Sequence, residues 1–295
     1  LGAGMSDDQW TVGRLLTWTA EWLAGKGSDS PRLDAEVLLA HVRNCQRILL
    51  YTAFDEVVAD EQRTRFRELV RRRAAGEPVA YLVGNREFFS LPFSVSAAVL
   101  VPRPETEGLV VRGIDLAKAV PAPRIIDVGT GSGAIVVTLA KRLPQASLAA
   151  TDISPAALDV ARANAARHGV AERVTFIECD LLDAPGAAGP WDLIVSNPPY
   201  VREDEFPGLP RDVRDFEPRG ALVAGPRGVE IIEQLAVLAG ERLAPGGWLL
   251  IEAGPTVAAD VEAILAATPG LVPEPTLKDL AGLPRIFQAR RAGSA

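Results

Sequence analysis

The chain has 295 residues, of which 48% are hydrophobic and 23% are charged, and its formal net charge is −7. Its length exceeds that of one average domain, so we expect one large and one smaller domain, and the composition excludes a disordered chain. The acidic balance argues against a partner that is held mainly through its phosphates, although it does not exclude a local basic patch.

Cysteine content and the first residues bear on where the protein works. Cys45 and Cys179 lie in apolar sequence, which disfavours a disulfide framework or a cysteine metal site, and no metal is expected. The longest apolar stretches fall far below the ~18 residues that cross a bilayer, and residues 1–6 contain no basic segment followed by an apolar one. We therefore expect a cytoplasmic protein without a transmembrane helix or a secretory signal, whose natural chain starts at Met5 after residues 1–4.

Residues 5–84 are predicted to form a small helical-bundle domain. Apolar residues recur at spacings of three and four in a first helix, a second helix is predicted after a capping Ser30, and a third spans residues 60–76. We expect three tryptophans at helical spacing to lie in the core of this domain rather than in a binding surface: Trp10, Trp18 and Trp22.

Residues 85–105 are predicted to form a β-hairpin linker. Apolar residues alternate around Pro92, and residues 99–101 make a second short apolar run. Two further prolines, Pro102 and Pro104, stiffen the chain just before the next helix.

From Arg124 onward, apolar strands alternate with helical segments, which predicts an α/β domain over residues 106–292. Strands separated by helical crossovers build a parallel sheet that is covered on both faces and binds ligands at the carboxyl ends of its strands. The predicted strands are 124–128, 147–151, 173–178, 192–196 and 248–252, and the helices between them are predicted to start near residues 133, 155, 228 and 256.

A glycine-rich turn follows the first of these strands. Alternate glycines let the backbone pass close to a ligand without an intervening Cβ, although such turns also serve simple close packing. The turn contains no lysine and follows Asp127, so we expect a cationic ligand rather than a phosphate. Its candidate binding residues are Gly129, Thr130, Gly131, Ser132 and Gly133.

Carboxylates end the next two strands. Asp152 can accept hydrogen bonds from both hydroxyls of a ribose, and Asp180 can accept one from an adenine amino group. Together with the glycine turn, this arrangement resembles the S-adenosylmethionine site of Rossmann-like class I methyltransferases.

The most specific motif is Asn197-Pro198-Pro199-Tyr200, at the end of the fourth strand. The side-chain oxygen of Asn197 and the carbonyl of Pro198 can accept two hydrogen bonds from one planar NH2 group, while the prolines hold the backbone rigid. Tyr200 offers a flat face for stacking. Such a site suits a nitrogen conjugated to a π system, as in an amide, adenine or cytosine.

With these motifs, the chain from Met5 onward resembles the HemK/PrmC family of release-factor glutamine methyltransferases. The resemblance implies a Rossmann-like class I domain with a mixed, mostly parallel seven-stranded sheet, and S-adenosylmethionine as methyl donor, with S-adenosylhomocysteine as product. It also implies N5 methylation of the glutamine in the Gly-Gly-Gln motif of class I peptide-chain release factors, with the helical domain of residues 5–84 recognising this substrate. Further matches are residues 76–78, 102–107, 127–134, 216–218 and 278–282.

The resemblance also assigns roles to residues. Asn197 and Pro198 would be catalytic, and the segment from Asn197 to Tyr200 would hold the glutamine amide. Leu181 stands where many members carry an aromatic residue, which could change the affinity for the cofactor. The implied cofactor contacts are Gly129, Thr130, Gly131, Ser132, Gly133, Asp152, Asp180, Leu181 and Asn197.

Two other functions remain open from the sequence. A nucleic-acid methyltransferase acting on adenine N6 or cytosine N4 would bind the same kind of NH2 group but would call for a basic groove, and residues 203–205 beside the motif are acidic. A non-catalytic S-adenosylmethionine sensor would not require the Asn197 motif. We therefore expect a release factor as partner, no nucleic acid or membrane, and a monomer.

Overall fold

The structure, a computed structural model, describes residues 9–293, so the predicted start at Met5 lies outside the described residues. The chain divides into two compact units. Of the described residues, one unit comprises 9–84 together with 211–216, and the other comprises 85–210 and 217–293. Nothing in the sequence pattern indicated that residues 211–216 belong with the helical unit.

The smaller unit is helical, and its apolar core includes Leu16, Leu38 and Phe66. Ser30 precedes its second helix, but its side chain makes no capping hydrogen bond, which corrects the predicted cap. Instead, the Ser28 hydroxyl donates to Asp34 in the first turn over 2.7 Å. The helices before residue 85 are α1 (Val12–Ala24), α2 (Pro31–Arg43), α3 (Leu49–Thr52), α4 (Asp60–Ala74) and α5 (Val79–Val83).

The prediction that Trp18 and Trp22 lie in the core is wrong. Their side chains are 48% and 44% exposed, and their rings stack on each other with centroids 5.7 Å apart. The buried stripe of α1 instead includes Leu16 and Leu23. A spacing of three and four fits any row along a helix, so the spacing alone did not decide which row faces the core.

The larger unit begins with a β-hairpin. Its strands pair Asn85 with Ser94 and Phe88 with Leu91, and the two residues between the strands, Phe89 and Ser90, both have positive φ. Such a two-residue turn matches the natural twist of paired strands. The run 99–101, which the sequence suggested as part of the hairpin, is not a strand.

A seven-stranded sheet forms the centre of the larger unit, with the strand order β10-β11-β9-β6-β3-β4-β5. The five strands from β9 to β5 run parallel, and β11 pairs antiparallel with both β9 and β10. This confirms the predicted α/β fold with a mixed, mostly parallel sheet. The strands of the unit are β1 (Asn85–Phe88), β2 (Leu91–Ser94), β3 (Arg124–Val128), β4 (Ser147–Asp152), β5 (Val174–Glu178), β6 (Trp191–Ser196), β7 (Val201–Arg202), β8 (Val223–Gly225), β9 (Leu243–Glu252), β10 (Leu271–Lys278) and β11 (Pro284–Arg291).

Helices cover both faces of this sheet. They pack against it through two apolar clusters, which contain side chains from both helices and strands. Four of the five residues of the central strand β3 are buried, as expected for a parallel strand that is covered on both faces. Within residues 9–293, no helix has both the length and the apolar character needed to cross a bilayer. The remaining helices are α6 (Thr106–Ala117), α7 (Ala134–Arg142), α8 (Pro155–Arg167), α9 (Arg211–Phe216, in the helical unit), α10 (Glu230–Arg242) and α11 (Ala258–Ala267).

Candidate active site

A cavity of about 480 Å³ lies in the larger unit at the carboxyl ends of β3, β4 and β6. Strand order reverses beside β3, which is where parallel α/β sheets open a crevice for ligands. The sheet thereby brings together side chains that are far apart in sequence. The predicted site residues that line this cavity are Gly129, Thr130, Gly131, Ser132, Asp152, Asp180, Leu181, Asn197, Pro198 and Pro199.

The glycine turn leaves the cavity side of its backbone open. Gly129 and Gly131 have φ of 71° and 55°, and a Cβ added at either position would meet no atom within 4 Å. Gly133 differs, because a Cβ there would lie 3.2 Å from the Cα of Ala161, and Gly133 does not line the cavity. The structure thus places Gly129 and Gly131 where a ligand could approach the backbone, and Gly133 at a close contact between helices.

Asp127 is hydrogen-bonded to the glycine turn and to the helix that follows it. Its Oδ2 accepts hydrogen bonds from the Thr130 hydroxyl over 2.7 Å and from the Val136 amide over 3.2 Å, and its Oδ1 has no hydrogen-bond partner. Burial raises the pKa of this carboxyl to about 7. Asp127 is fully buried and lies outside the cavity lining, so it does not present a negative charge to a ligand at the turn, as the expectation of a cationic ligand had assumed.

Asp152 is held at the cavity by two backbone hydrogen bonds. Its Oδ2 accepts from the Gly131 amide and its Oδ1 from the Ser154 amide, each over 2.9 Å. A carboxylate oxygen has two lone pairs, so each oxygen keeps one for a ligand hydroxyl. The geometry is therefore ready to accept hydrogen bonds from a diol such as that of a ribose.

The next wall of the cavity combines an acidic and an apolar side chain. Asp180 is exposed, and the following Leu181 adopts a left-handed conformation with φ of 47°. This conformation is uncommon for a residue other than glycine. Leu181 is partly buried against the apolar cluster beneath the sheet, so it gives this wall an apolar surface.

The Asn197 motif forms the wall after β6. The Ser196 hydroxyl donates to the Val128 carbonyl over 2.7 Å, which joins the ends of β6 and β3. Asn197 is half-buried, and its Nδ2 donates to the Thr106 hydroxyl over 3.2 Å. Pro198 is buried.

Tyr200 lies outside the cavity lining. Its ring packs against Gly254, where a Cβ would come within 3.1 Å of the ring, and burial raises the pKa of its hydroxyl. The structure therefore brings together Asn197, Pro198 and Pro199 at the cavity but not the ring of Tyr200. A stacking face for a substrate at Tyr200 has no support from this geometry.

Several residues at the cavity were not predicted to have a role there. Arg103 lines it and makes a 2.6 Å ion pair with the buried Glu217, which also accepts a hydrogen bond from the Val101 amide. Thr106 lines it as well. Arg103 and Glu217 lie in motifs that were matched to the family, but they are far apart in the chain, so no local spacing could have indicated their pairing.

Two sequence families match parts of the chain. The PrmC N-terminal domain matches residues 14–84, and the methyltransferase small domain matches residues 113–207. The first match falls in the helical unit, and the second contains the glycine turn, Asp152 and Asn197.

Curated relatives match nearly the whole chain. The release factor glutamine methyltransferase of Rhodopirellula baltica is 50% identical over 97% of this chain and 98% of its own length. The enzyme of the same name from Koribacter versatilis is 45% identical over 92% of this chain and 95% of its own length.

Solved structures share the fold at low sequence identity. The hMettl16 catalytic domain, in complex with MAT2A 3'UTR hairpin 6, has a TM-score of 0.53 at 16% identity, covering 77% of this chain and 83% of its own. A methyltransferase from Pyrococcus furiosus has a TM-score of 0.50 at 18% identity, covering 76% of this chain and 98% of its own. At such identities the likeness concerns the fold.

Proposed function

Because the chain belongs to the release factor glutamine methyltransferase family, we propose that it methylates the glutamine of the Gly-Gly-Gln motif in class I peptide-chain release factors. The methyl group passes from S-adenosylmethionine to the side-chain amide nitrogen, N5. The observation that carries this proposal is the placement of Asn197, Pro198 and Pro199 on the wall of the same cavity that Gly131 and Asp152 line.

The cavity fits S-adenosylmethionine in its chemistry. The open backbone at Gly129 and Gly131 leaves room for a ligand, the fixed carboxylate of Asp152 suits a ribose diol, and Leu181 offers an apolar wall. Asp180 stands where it could accept a hydrogen bond from an adenine amino group. When bound, S-adenosylmethionine supplies the methyl group that is attached to its positively charged sulfur. Loss of this methyl group turns the sulfur into a neutral thioether.

The residues at the end of β6 orient the nucleophile. The Asn197 side-chain oxygen and the Pro198 carbonyl would each accept one hydrogen from the glutamine NH2 group. The lone pair of an amide nitrogen is delocalised into its carbonyl group, which makes the nitrogen a weak nucleophile. Hydrogen bonds from both amide hydrogens to Asn197 and Pro198 would hold the glutamine in the orientation in which its nitrogen faces the methyl group. Positioning of this kind can supply about 7 kcal/mol or more of barrier reduction, without a general base acting before attack. The methylated nitrogen then releases one of its protons to water, which gives the neutral N-methyl amide.

We propose that the protein acts as a monomer in the cytoplasm, with a release factor rather than a nucleic acid as its substrate. The acidic segment 203–205, next to the Asn197 motif, would repel a phosphate backbone and attract a basic protein loop.

The test is methyl transfer from labelled S-adenosylmethionine to a purified class I release factor. A matched release factor with Gln→Ala in its Gly-Gly-Gln motif, duplex DNA and ribosomal RNA are the controls. Label on the intact factor alone is the expected result. Label on either nucleic acid but not on the factor would overturn the proposal in favour of an amino methyltransferase for adenine or cytosine.

A further inference from the structure

Thr106, the first residue of α6, lies between Asn197 and a buried carboxyl group. Its hydroxyl accepts a hydrogen bond from Asn197 Nδ2 over 3.2 Å and also hydrogen-bonds the carboxyl of Glu252, at the end of β9. Thr106 is 5% exposed and Glu252 is 1% exposed. The three side chains therefore form a row from the cavity wall into the interior of the larger unit.

Burying the carboxyl group of Glu252 at this position costs free energy. Its Oε2 is buried without a hydrogen-bond partner, and its neighbours Ile251 and Ala253 belong to an apolar cluster. Burial raises the pKa of the carboxyl to about 7, although Thr106 and the nearby Arg285 oppose that shift. An apolar side chain would avoid the cost of burying this group. The carboxyl therefore calls for an explanation other than packing.

The number of hydrogens on each side chain determines which group donates and which accepts along this row. A threonine hydroxyl has one hydrogen, and Thr106 already uses a lone pair to accept from Asn197 Nδ2, so its hydrogen is free to be donated to Glu252. The two ends of an asparagine amide have the same shape and differ only in their hydrogen-bonding partners. With Nδ2 held by Thr106, the opposite end of the Asn197 amide is the oxygen Oδ1.

The reversed amide would not hold the substrate. If Oδ1 of Asn197 faced Thr106, its NH2 group would meet the NH2 group of the glutamine, and two donors do not bond. Thr106 would then have to donate to Asn197 and could not donate to Glu252, which would leave a buried carboxylate without that hydrogen bond. The ionised form of Glu252, which predominates above a pH of about 7, therefore disfavours the reversed orientation.

We propose that Thr106 and Glu252 are positioning residues that fix the Asn197 amide with its oxygen toward the methyl-accepting amide. This inference rests on the proposed function, because it concerns how Asn197 holds the glutamine. Glu252 does not line the cavity, and it acts through Thr106.

The first test compares two substitutions at one position. Thr106→Val removes the hydroxyl at nearly constant shape, whereas Thr106→Ser keeps it. Loss of this hydrogen bond should lower kcat for release-factor methylation about 10- to 100-fold in the valine variant, with an unchanged Kd for S-adenosylmethionine. The serine variant should stay within about 3-fold of wild type. Equal losses in both variants, or a loss confined to cofactor binding, would overturn the proposal.

The second test asks whether Glu252 works through Thr106. Glu252→Gln keeps an acceptor oxygen and should retain most of kcat, whereas Glu252→Leu should lose as much as Thr106→Val. Because the two residues act in one row, the double variant with Thr106→Val and Glu252→Leu should be no slower than either single variant. Wild-type kcat in Glu252→Leu, or multiplied losses in the double variant, would contradict the proposal.

A readout that needs no turnover separates this inference from the proposed function. In the ¹⁵N spectrum of the full chain, the side-chain NH2 signal of Asn197, assigned by its loss in Asn197→Asp, should exchange slowly with solvent in wild type. It should exchange faster in Thr106→Val and Glu252→Leu but not in Thr106→Ser. Unchanged exchange would overturn the positioning role. If wild type failed to methylate a release factor, the proposed function would fail while this result still decided the orientation of the amide.

Discussion

At the scale of single residues, the cavity is prepared before a ligand arrives. Asp152 is fixed by two backbone amides, and Asn197 is fixed by the Thr106 hydroxyl. Groups held in this way lose little conformational freedom on binding, so the free energy of their contacts with ligand is not spent on ordering them. Each of these side chains is expected to affect a different step.

Asn197→Ala should lower turnover far more than it lowers cofactor affinity. The substitution removes an acceptor for the glutamine NH2 group, which matters for orientation during transfer, and we expect a fall in kcat of about 100-fold or more. The measurement is kcat with a release factor beside the Kd of S-adenosylmethionine by calorimetry. A loss seen only in the Kd would remove the orienting role from Asn197.

Asp152→Ala should weaken the binding of S-adenosylmethionine about 10-fold or more, because it removes acceptors for a ribose diol. Calorimetry on the free protein gives the Kd directly, and a melting curve shows whether the turn at Gly131 survives the change. Asp159→Ala is a matched control, since this carboxylate on α8 is 78% exposed and pairs with Arg162. An unchanged Kd in Asp152→Ala would exclude it from the cofactor site.

The buried carboxyl of Asp127 should make stability depend on pH. Its pKa is about 7 in the folded protein, against 3.8 for an unperturbed group. Between these values the folded protein holds a proton that the unfolded chain has lost, so the free energy of unfolding falls as pH rises from about 4 to about 7, by up to about 1.4 kcal/mol per pH unit.

The check is urea unfolding of the cofactor-free protein at several pH values. Asp127→Asn should make the fall in stability with rising pH less steep, because an amide does not titrate, while the part due to Glu252, whose pKa is also raised to about 7, should remain. Asp159→Asn, a change at an exposed carboxyl, should leave the slope as it is in wild type. A slope in Asp127→Asn equal to that of wild type would assign the pH dependence to other groups.

At the scale of helices and strands, the sequence predicted where the elements lie better than it predicted which of their faces are buried. The five strands from 124 to 252 were found because parallel strands read as short apolar runs between turns, and each candidate residue at a strand end was found with them. Which row of α1 is buried, and where Asp127 points, depend on packing by distant residues. The pairing of Arg103 with Glu217 joins positions more than a hundred residues apart and leaves no local pattern.

The exposed row of α1 gives a prediction for that helix. Trp18→Ala should change the free energy of unfolding by less than about 1 kcal/mol, because nearly half of this side chain is exposed to solvent. Leu16→Ala, at a fully buried position in the same helix, should cost about 2–5 kcal/mol. Urea unfolding of both variants measures the difference. Equal costs would mean that Trp18 is a core residue after all.

At the scale of the whole molecule, the helical unit is completed by a distant segment. Asp34 on α2 is buried and pairs with Arg73 on α4 over 2.7 Å, and Arg73 also lies 3.5 Å from Asp212 on α9. Asp212 belongs to the segment 211–216, which follows the first strands of the large sheet in sequence. The helical unit therefore depends on residues from both parts of the chain.

Arg73→Gln should destabilise the helical unit by about 2–4 kcal/mol, because it leaves the buried carboxylate of Asp34 without its cation. Arg71→Gln is the matched control: its side chain is 74% exposed, so a change of at most about 0.5 kcal/mol is expected. Hydrogen exchange of amides in α2 and α4 reports on this unit alone. Equal protection in the two variants would show that the buried pair is unimportant.

The position of α9 also has a consequence for synthesis on the ribosome. Residues up to 84 emerge first and can bury Leu16, Leu38 and Phe66 against one another, but Asp212 is translated only after β3, β4, β5 and β6. The helical unit is thus a discontinuous domain, whose last contact forms late in translation. A gene cut after codon 84 would yield its hydrophobic core without the helix whose Asp212 pairs with Arg73, so a domain swap with this protein needs both segments.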